Sequence, residues 1–189
     1  GDALRSQVVG VKDGRMLLPY AFVQAEKVLG YLKKSPDVVR ADVLGSLRRM
    51  VATVGDLDFA IASDNPKEVV EHIVSMPGIA EVVNKGDTKV AVILSSGLHL
   101  DFLIADLEGY GALLQHFTGS KQHNIHLRRL AGEYGLSLSE YGIRKSRSGE
   151  IIKCETEDKL YSLLGIQTPE PEIREDMGEI EAGLAHKLP

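Results

Sequence analysis

The chain has 189 residues, 43% of them hydrophobic and 26% charged, with a formal net charge of -5, an ordinary globular mixture long enough for one or two small domains. No apolar run approaches the roughly 20 residues needed to cross a bilayer, and no secretory leader is recognisable, so a cytoplasmic protein without a membrane partner is expected. The single cysteine, Cys154, excludes an internal disulfide and a cysteine-rich zinc site, and its expected place is that of a small semi-apolar residue on a strand. Charge is unevenly spread: residues 154–189 hold nine acids against three Lys or Arg, and residues 1–153 eighteen against nineteen. An acidic tail thus follows a near-neutral body.

In chain order, residues 1–16 show little pattern beyond a turn at Lys12-Asp13-Gly14 and receive no function. From 19 to 34 the set Ala21, Phe22, Ala25, Val28, Leu29 and Leu32 recurs at helical spacing, with Pro19 in the first turn, and predicts a helix lying on a sheet. A strand over 38–44, a Gly-Ser turn with a short helix, and a strand over 56–62 follow. Asp64 or Asn65 with Pro66 starts a helix that runs to Met76 and is ended by Pro77-Gly78. Strands are predicted over 79–83, 89–94 and 98–104, the last two joined at Ser95-Ser96-Gly97.

Beyond Asp106 the texture changes to shorter helices, over 110–117 and 120–134. A hairpin of strands 138–144 and 150–154 turns over Ser146-Arg147-Ser148-Gly149, and a helix over 157–164 is stopped by Gly165. Residues 167–189 are acidic, carry prolines and lack apolar periodicity, which predicts a linker or docking tail. The expected fold class is therefore α+β: a mixed sheet covered by helices over 1–108, a small α+β subdomain over 109–166, and the tail over 167–189.

The stretch that organises the chain is GSLRRMVATVGDLDFA, residues 45–60. Asp56 and Asp58 lie two apart at the head of an apolar strand, where residues i and i+2 share a face. A third acid, Asp101, sits mid-strand in GLHLDFLI. A D-x-D alone is a common solvated turn or cap. Here, carboxylates among apolar residues cost several kcal/mol if left charged and unpartnered, and hard oxygen ligands suit Mg2+ or Mn2+. Gly45 permits close backbone approach, Ser46 begins a helix whose free amides suit a phosphate, and Arg49 adds charge beside it.

GSLRRMVATVGDLDFAIA, KGDTKVAV, LHLDFLI, HFTGSKQHN and LSEYGI occur in this order, and the order resembles that of the family X DNA polymerases. The resemblance covers about residues 17–181; the FTGS segment is its most specific part, since GS with D-x-D belongs to nucleotidyltransferases at large. It implies a nucleotidyltransferase-type palm followed by a thumb. PEIREDMGEIEA is similar to the joint that leads, in bacterial members, to a histidinol-phosphatase-like domain, so the tail is expected to connect to such a phosphoesterase. Neither that domain nor the helical domain that grips a gap's 5'-phosphate has a counterpart in these 189 residues.

Residue by residue, the resemblance implies that Asp56 and Asp58 hold two metal ions, Mg2+ or Mn2+, and that Asp101 also faces the primer 3'-hydroxyl. Ser46, Arg49 and the amide of Gly55 match triphosphate contacts. His116, Phe117, Thr118 and Gly119 match the sugar-facing segment, although many relatives carry tyrosine where His116 stands. Asn124 and Arg128 match minor-groove contacts to the incoming base and the template. Lys85 and Lys89 match phosphate-binding lysines, against the plainer reading of solvated turn residues. His99 stands where some relatives place an arginine on the primer. His116, His123 and His126 lack a fourth ligand and are not expected to bind zinc. The expected activity is that of a monomeric DNA-directed DNA polymerase core, adding dNTPs to a primer in gapped DNA during repair. Two alternatives stay open: a template-independent nucleotidyltransferase acting on RNA, protein or a small molecule, and a non-catalytic DNA-binding module.

Overall fold

A computed structural model describes residues 11–12 and 14–189; residues 1–10 and Asp13, with part of the expected turn at 12–14, lie outside it. The chain divides by its contacts into two units, Gly1–Ile104 and Ala105–Pro189.

In the first unit, β1 (Val11–Lys12) and β2 (Arg15–Leu17) form an antiparallel hairpin, and β2 pairs in turn with β4 (Thr53–Val54). No local pattern announced this three-stranded ribbon, because its strands are only two or three residues long. Helix α1 (Leu18–Leu32) follows with proline in its first turn, and it buries Ala21, Ala25, Val28 and Leu32 along one stripe. Then come β3 (Arg40–Val43), the single-turn α2 (Gly45–Arg48), β5 (Leu57–Ala62), α3 (Pro66–Val74), β6 (Ile79–Lys85), β7 (Lys89–Leu94) and β8 (His99–Ala105). Asn65 stands at the N-cap of α3, and Val69, Val70 and Ile73 face inward. Tyr31 and His72 tie α1 to α3: their rings stack at 4.3 Å, and the Tyr31 hydroxyl donates to the His72 carbonyl at 2.8 Å.

The main sheet has the order β3-β5-β8-β7-β6, and it is a mixed sheet within an α+β chain. Strand β7 runs antiparallel to β8 with Ala91 opposite Asp101, and β3 antiparallel to β5 with Asp42 opposite Ala60. The core beneath it gathers the α1 and α3 stripes with Leu57, Phe59, Ile61, Leu100 and Phe102. Alternation does the sorting here: Phe59 and Phe102 stack at 5.3 Å on the core side, which sends Asp58 and Asp101, one residue before each, to the other face.

The second unit opens with a 3-10 turn, Leu107–Gly109, closed by the Asp106 side chain accepting from the Gly109 amide at 2.8 Å. Helix α4 (Tyr110–Thr118) and helix α5 (Lys121–Glu133), the latter capped by Ser120, lead into a small sheet of order β11-β10-β9. The expected strand over 138–144 is in fact two, β9 (Leu136–Ser139) and β10 (Gly142–Lys145), paired antiparallel, with β11 (Ile151–Ile152) on the far side of β10. The chain reverses at Glu140-Tyr141, where the Tyr141 amide donates to the Ser139 hydroxyl and Gly142 takes a φ of 136° that a side chain would resist.

Residues 167–189 carry more structure than their composition suggests. Expected as a linker or a docking tail, they pack onto this unit, with a 3-10 turn at Pro171–Ile173 and α7 (Glu179–Leu184) after α6 (Glu157–Leu163). Ile166 and Ile180 enter the same core as Leu127, Ile143, Leu160 and Tyr161, while Arg174 and Glu179 are buried. Their acidic composition misleads because the partners of Asp176 and Glu179, His126 and His123, lie far away in sequence. Cys154 is buried in this core.

Candidate active site

The site begins with the face of the sheet that Phe59 and Phe102 do not use. Strands β5 and β8 are neighbours, so Asp58 and Asp101 come side by side, and their carboxyls share a hydrogen bond. Asp56, exposed just ahead of β5, adds a third negative charge. Burial, then the charges of Asp101 and Asp56, then the hydrogen bond to Asp101 push Asp58 up to about 6. Burial and the charge of Asp56 also raise Asp101, against the opposing charges of Lys89 and His99. These two basic groups stand on the strand face of Asp101, at Lys89↔Leu103 and Ile93↔His99 in the ladder.

The loop before the aspartates is fitted to them. The Leu44 amide donates to the Asp58 carbonyl at 2.8 Å. Gly45 follows with φ 60°, and a Cβ there would stand 3.3 Å from Asp58 Oδ2, so glycine leaves the carboxylate its space. The single turn α2 carries Ser46, and Arg49 caps its end, with the Arg49 amide on the Gly45 carbonyl at 3.2 Å. A residue without a sequence signal joins them. Arg15 of β2 donates from Nε to Thr53 Oγ1 at 3.0 Å and from Nη2 to the Thr53 carbonyl at 2.8 Å, and its Nη1 lies 3.2 Å from where a Cβ at Gly55 would be. The ladder β2·β4 brings it there across 38 positions. Only that pairing could have revealed it.

Among the described residues, no group of three or more His, Cys, Asp and Glu is already gathered as a metal-holding set. The pair Asp58–Asp101 is its nucleus, and Asp56 reaches them through charge. The donors are carboxylate oxygens whose mutual repulsion a hard divalent cation would relieve, so the residues fit Mg2+ or Mn2+.

The raised Asp58 has a consequence for stability. Its folded value, about 6 against 3.8, means that the protonated group contributes stability that is full below the lower value and lost as pH rises through about 6. Asp58→Asn should therefore raise the unfolding temperature in EDTA at pH 8 by about 3–6 °C, from a liability of at most about 3 kcal/mol, and the gain should vanish near pH 4. Melting curves at both pH values check this, and an equal gain at each would contradict the assignment.

The remaining expected residues lie on the second unit, except Lys85. That lysine pairs with Glu71 of α3 at 2.6 Å, both groups half exposed, so its charge already has a partner. His116 and Phe117, both half-buried, end α4 with their rings edge to face at 4.8 Å. Burial lowers the His116 pKa, Glu140 opposes that and Arg128 reinforces it. Gly119 breaks the helix at φ 71°. Asn124 is turned inward: its amide donates to the His116 carbonyl at 2.7 Å, and its oxygen accepts from Gln115 at 2.8 Å. Arg128 is exposed on α5. His123 is fully buried, with Nδ1 2.6 Å from Glu179 and Nε2 2.8 Å from the Tyr161 hydroxyl.

The sequence is similar to those of known proteins. Residues 113–175 match the family model described as DNA polymerase beta thumb. The chain is 40% identical over 174 residues to the DNA polymerase/3'-5' exonuclease PolX of Bacillus subtilis, covering 91% of this chain and 30% of that protein. It is 31% identical over 86 residues to DNA polymerase lambda of Rattus norvegicus, covering 40% of this chain and 15% of the relative. It is 24% identical over 173 residues to the Repair DNA polymerase X of African swine fever virus, covering 80% and 97%. The chain thus spans less than a third of the length of the Bacillus protein. With the thumb model matched over residues 113–175 and 40% identity over 174 residues, the chain belongs to the family X DNA polymerases.

Proposed function

We propose that the chain is a DNA-directed DNA polymerase core that joins a dNTP to a primer 3'-hydroxyl in gapped DNA, a repair reaction. The observation that carries this is the half-buried Asp58–Asp101 pair on one face of the sheet, where burial and the neighbouring carboxylate charges raise both groups, Asp58 to about 6, with Asp56 adding a third charge. In the reaction the 3'-oxygen attacks the α-phosphorus, its proton leaves, and pyrophosphate departs. Asp56, Asp58 and Asp101 would hold two ions, Mg2+ or Mn2+, with Asp56 turning in from its exposed position. Bound there, the ions supply charge neutralisation on the triphosphate and a lowered pKa for the attacking hydroxyl.

The other residues bind and orient. Ser46, Arg49, the backbone at Gly45 and Gly55, and the guanidinium of Arg15 present donors to the triphosphate. Lys89 and His99, flanking Asp101, face the primer phosphates. Phe117 with His116, Thr118 and Gly119 packs on the sugar, while Asn124 holds that segment through the His116 carbonyl and Arg128 reaches the template from the outer face of α5. Lys85 contributes to DNA only by leaving Glu71, and an exposed pair of that kind is worth about 0–1 kcal/mol. The enzyme works as a monomer in the cytoplasm. Among the described residues no helix is long and apolar enough to cross a membrane.

The test is primer extension on a gapped template with each dNTP alone, in Mg2+ and in Mn2+. Insertion of only the complementary nucleotide is expected with either ion and none in EDTA. Extension indifferent to the template would favour a template-independent transferase, and DNA binding without extension would favour a non-catalytic module.

A further inference from the structure

Helix α5 is held from two sides. Toward α4, the Asn124 amide and the His116 carbonyl join it to the end of that helix. On the stripe of residues 120, 123 and 126, its polar partners come largely from the segment that composition alone makes a tail, with Tyr161 of α6 beside them. The Ser120 amide donates to the Arg174 carbonyl at 2.9 Å. One turn on, His123 Nδ1 meets Glu179 at 2.6 Å, and another turn on, His126 Nδ1 meets Asp176 at 2.7 Å with Glu181 at 3.5 Å from its other nitrogen. Positions 120, 123 and 126 recur every three residues and so form one stripe of the helix.

The segment is itself braced. Glu179 accepts from the amides of Asp176 and Met177 at 2.9 and 2.7 Å, so one carboxylate folds its own turn and grips His123. His123 Nε2 then accepts from the Tyr161 hydroxyl, fixing the tautomer with the proton on Nδ1 toward Glu179. Arg174 lies over the Tyr161 ring at 5.2 Å and is anchored to the Pro169 carbonyl and Glu157. A run of buried, fully partnered polar groups with fixed geometry rigidifies what it touches. Among the described residues, no buried side-chain nitrogen or oxygen lacks a hydrogen-bond partner.

We infer that residues 174–181 form a positioning strap for the nucleotide-facing segment 116–128, with Glu179 and Asp176 as positioning residues acting through His123 and His126. This rests on the reading that 116–128 faces the incoming nucleotide. The strap touches no reacting atom. It sets the orientation of Gly119, Asn124 and Arg128 by holding the helix stripe behind them, and misplacement by a fraction of a helical turn would loosen dNTP binding more than the chemistry that follows.

The test uses the 189-residue chain and two readouts, amide hydrogen exchange over 116–128 and single-nucleotide insertion kinetics. Glu179→Gln should speed exchange at 119–126 by about tenfold and raise KM for dNTP about tenfold while kcat changes less than about threefold. His126→Ala, a milder lesion nearer the surface, should move both in the same direction by about a third as much. Leu164→Ala, which opens the core of the same unit and leaves the strap's polar contacts in place, serves as the control. It should lower the unfolding temperature but leave KM within about twofold. Faster exchange in Glu179→Gln with an unchanged KM, or an equal KM rise in Leu164→Ala, would overturn the strap. A wild-type chain that inserts no dNTP would overturn the polymerase reading instead, and unchanged exchange in Glu179→Gln would then overturn the strap independently.

Discussion

Asp101→Asn is expected to cut single-nucleotide insertion by on the order of 10³-fold or more, the size of effect seen when a preorganised electrostatic element of a transition state is lost. The substitution keeps the shape of the side chain and removes its charge. Asp101 shares a hydrogen bond with Asp58 and lies within the field of Asp56, so the three carboxylates make one anionic patch, and under the proposed function the substitution would remove one of the oxygen ligands that would hold a cation there. The fold should not suffer. Without metal the charged group is a liability, and relieving it should hold or raise the unfolding temperature. Lys89 and His99, which lower the Asp101 pKa through charge, then lose their anionic neighbour, so primer binding to this basic pair should persist. Single-turnover insertion with melting in EDTA checks both parts. A variant that keeps activity within tenfold of wild type would remove Asp101 from the chemistry, and a variant that is inactive but strongly destabilised would make the loss structural.

Arg174→Met should destabilise the second unit by about 3–5 kcal/mol, the cost of breaking a buried ion pair from one side, and lower its melting temperature by on the order of 10 °C. The guanidinium is 1% exposed, donates from Nε to the Pro169 carbonyl at 3.0 Å, and pairs through Nη1 with Glu157, whose side chain is 10% exposed. Methionine fills the volume but leaves the Glu157 carboxylate without its cation in a place where water solvates it poorly. Glu157→Gln in the Arg174→Met background should therefore recover part of the loss. Urea melts of the single and double variants form the measurement. A loss under about 1 kcal/mol would place Arg174 in the weak class of exposed pairs, against its burial.

The two effects also separate the roles of the chain's charges. Asp58 and Asp101 are held in a repulsive arrangement that costs stability and that a bound cation would relieve. Arg174, Glu157, His123 and Glu179 are buried in mutually satisfied pairs that stabilise position. The first group is at a strand face open to ligands, and the second is inside a small core. Burial therefore raises the pKa of Asp58, whereas for Glu179 its opposition is overcome by the hydrogen bonds from His123 and the Asp176 and Met177 amides, and the pKa falls.

Several elements were legible because their cause is local. Strand 89–94 ends where it was expected, since its apolar residues are bounded by a lysine-bearing turn and by Ser-Ser-Gly. Helix α5 starts at the Ser120 cap and stops ahead of Gly135 for equally local reasons. The D-x-D spacing put Asp58 on the strand face opposite Phe59, whereas Asp56 lies just ahead of β5 and is exposed. Hairpin β1–β2, the break at Glu140-Tyr141 and the role of Arg15 were not legible. Each depends on a pairing partner or a backbone conformation that composition does not record.

By itself, then, the sequence determined most of the longer elements, the place of Asp58 on an apolar strand with Asp56 just ahead of it, and the loop of glycine, serine and arginine before them, because propensity, capping and periodicity act over a few residues. Tertiary structure alone decided that β8 is the neighbour of β5, so that Asp101 meets Asp58, and that β2 carries Arg15 to Gly55. It also turned an acidic tail into the strap of α5, through contacts 50 and 56 positions apart. A single histidine and a single glutamate have no local preference for each other; their pairing is set by where the intervening helices and strands bury their apolar faces.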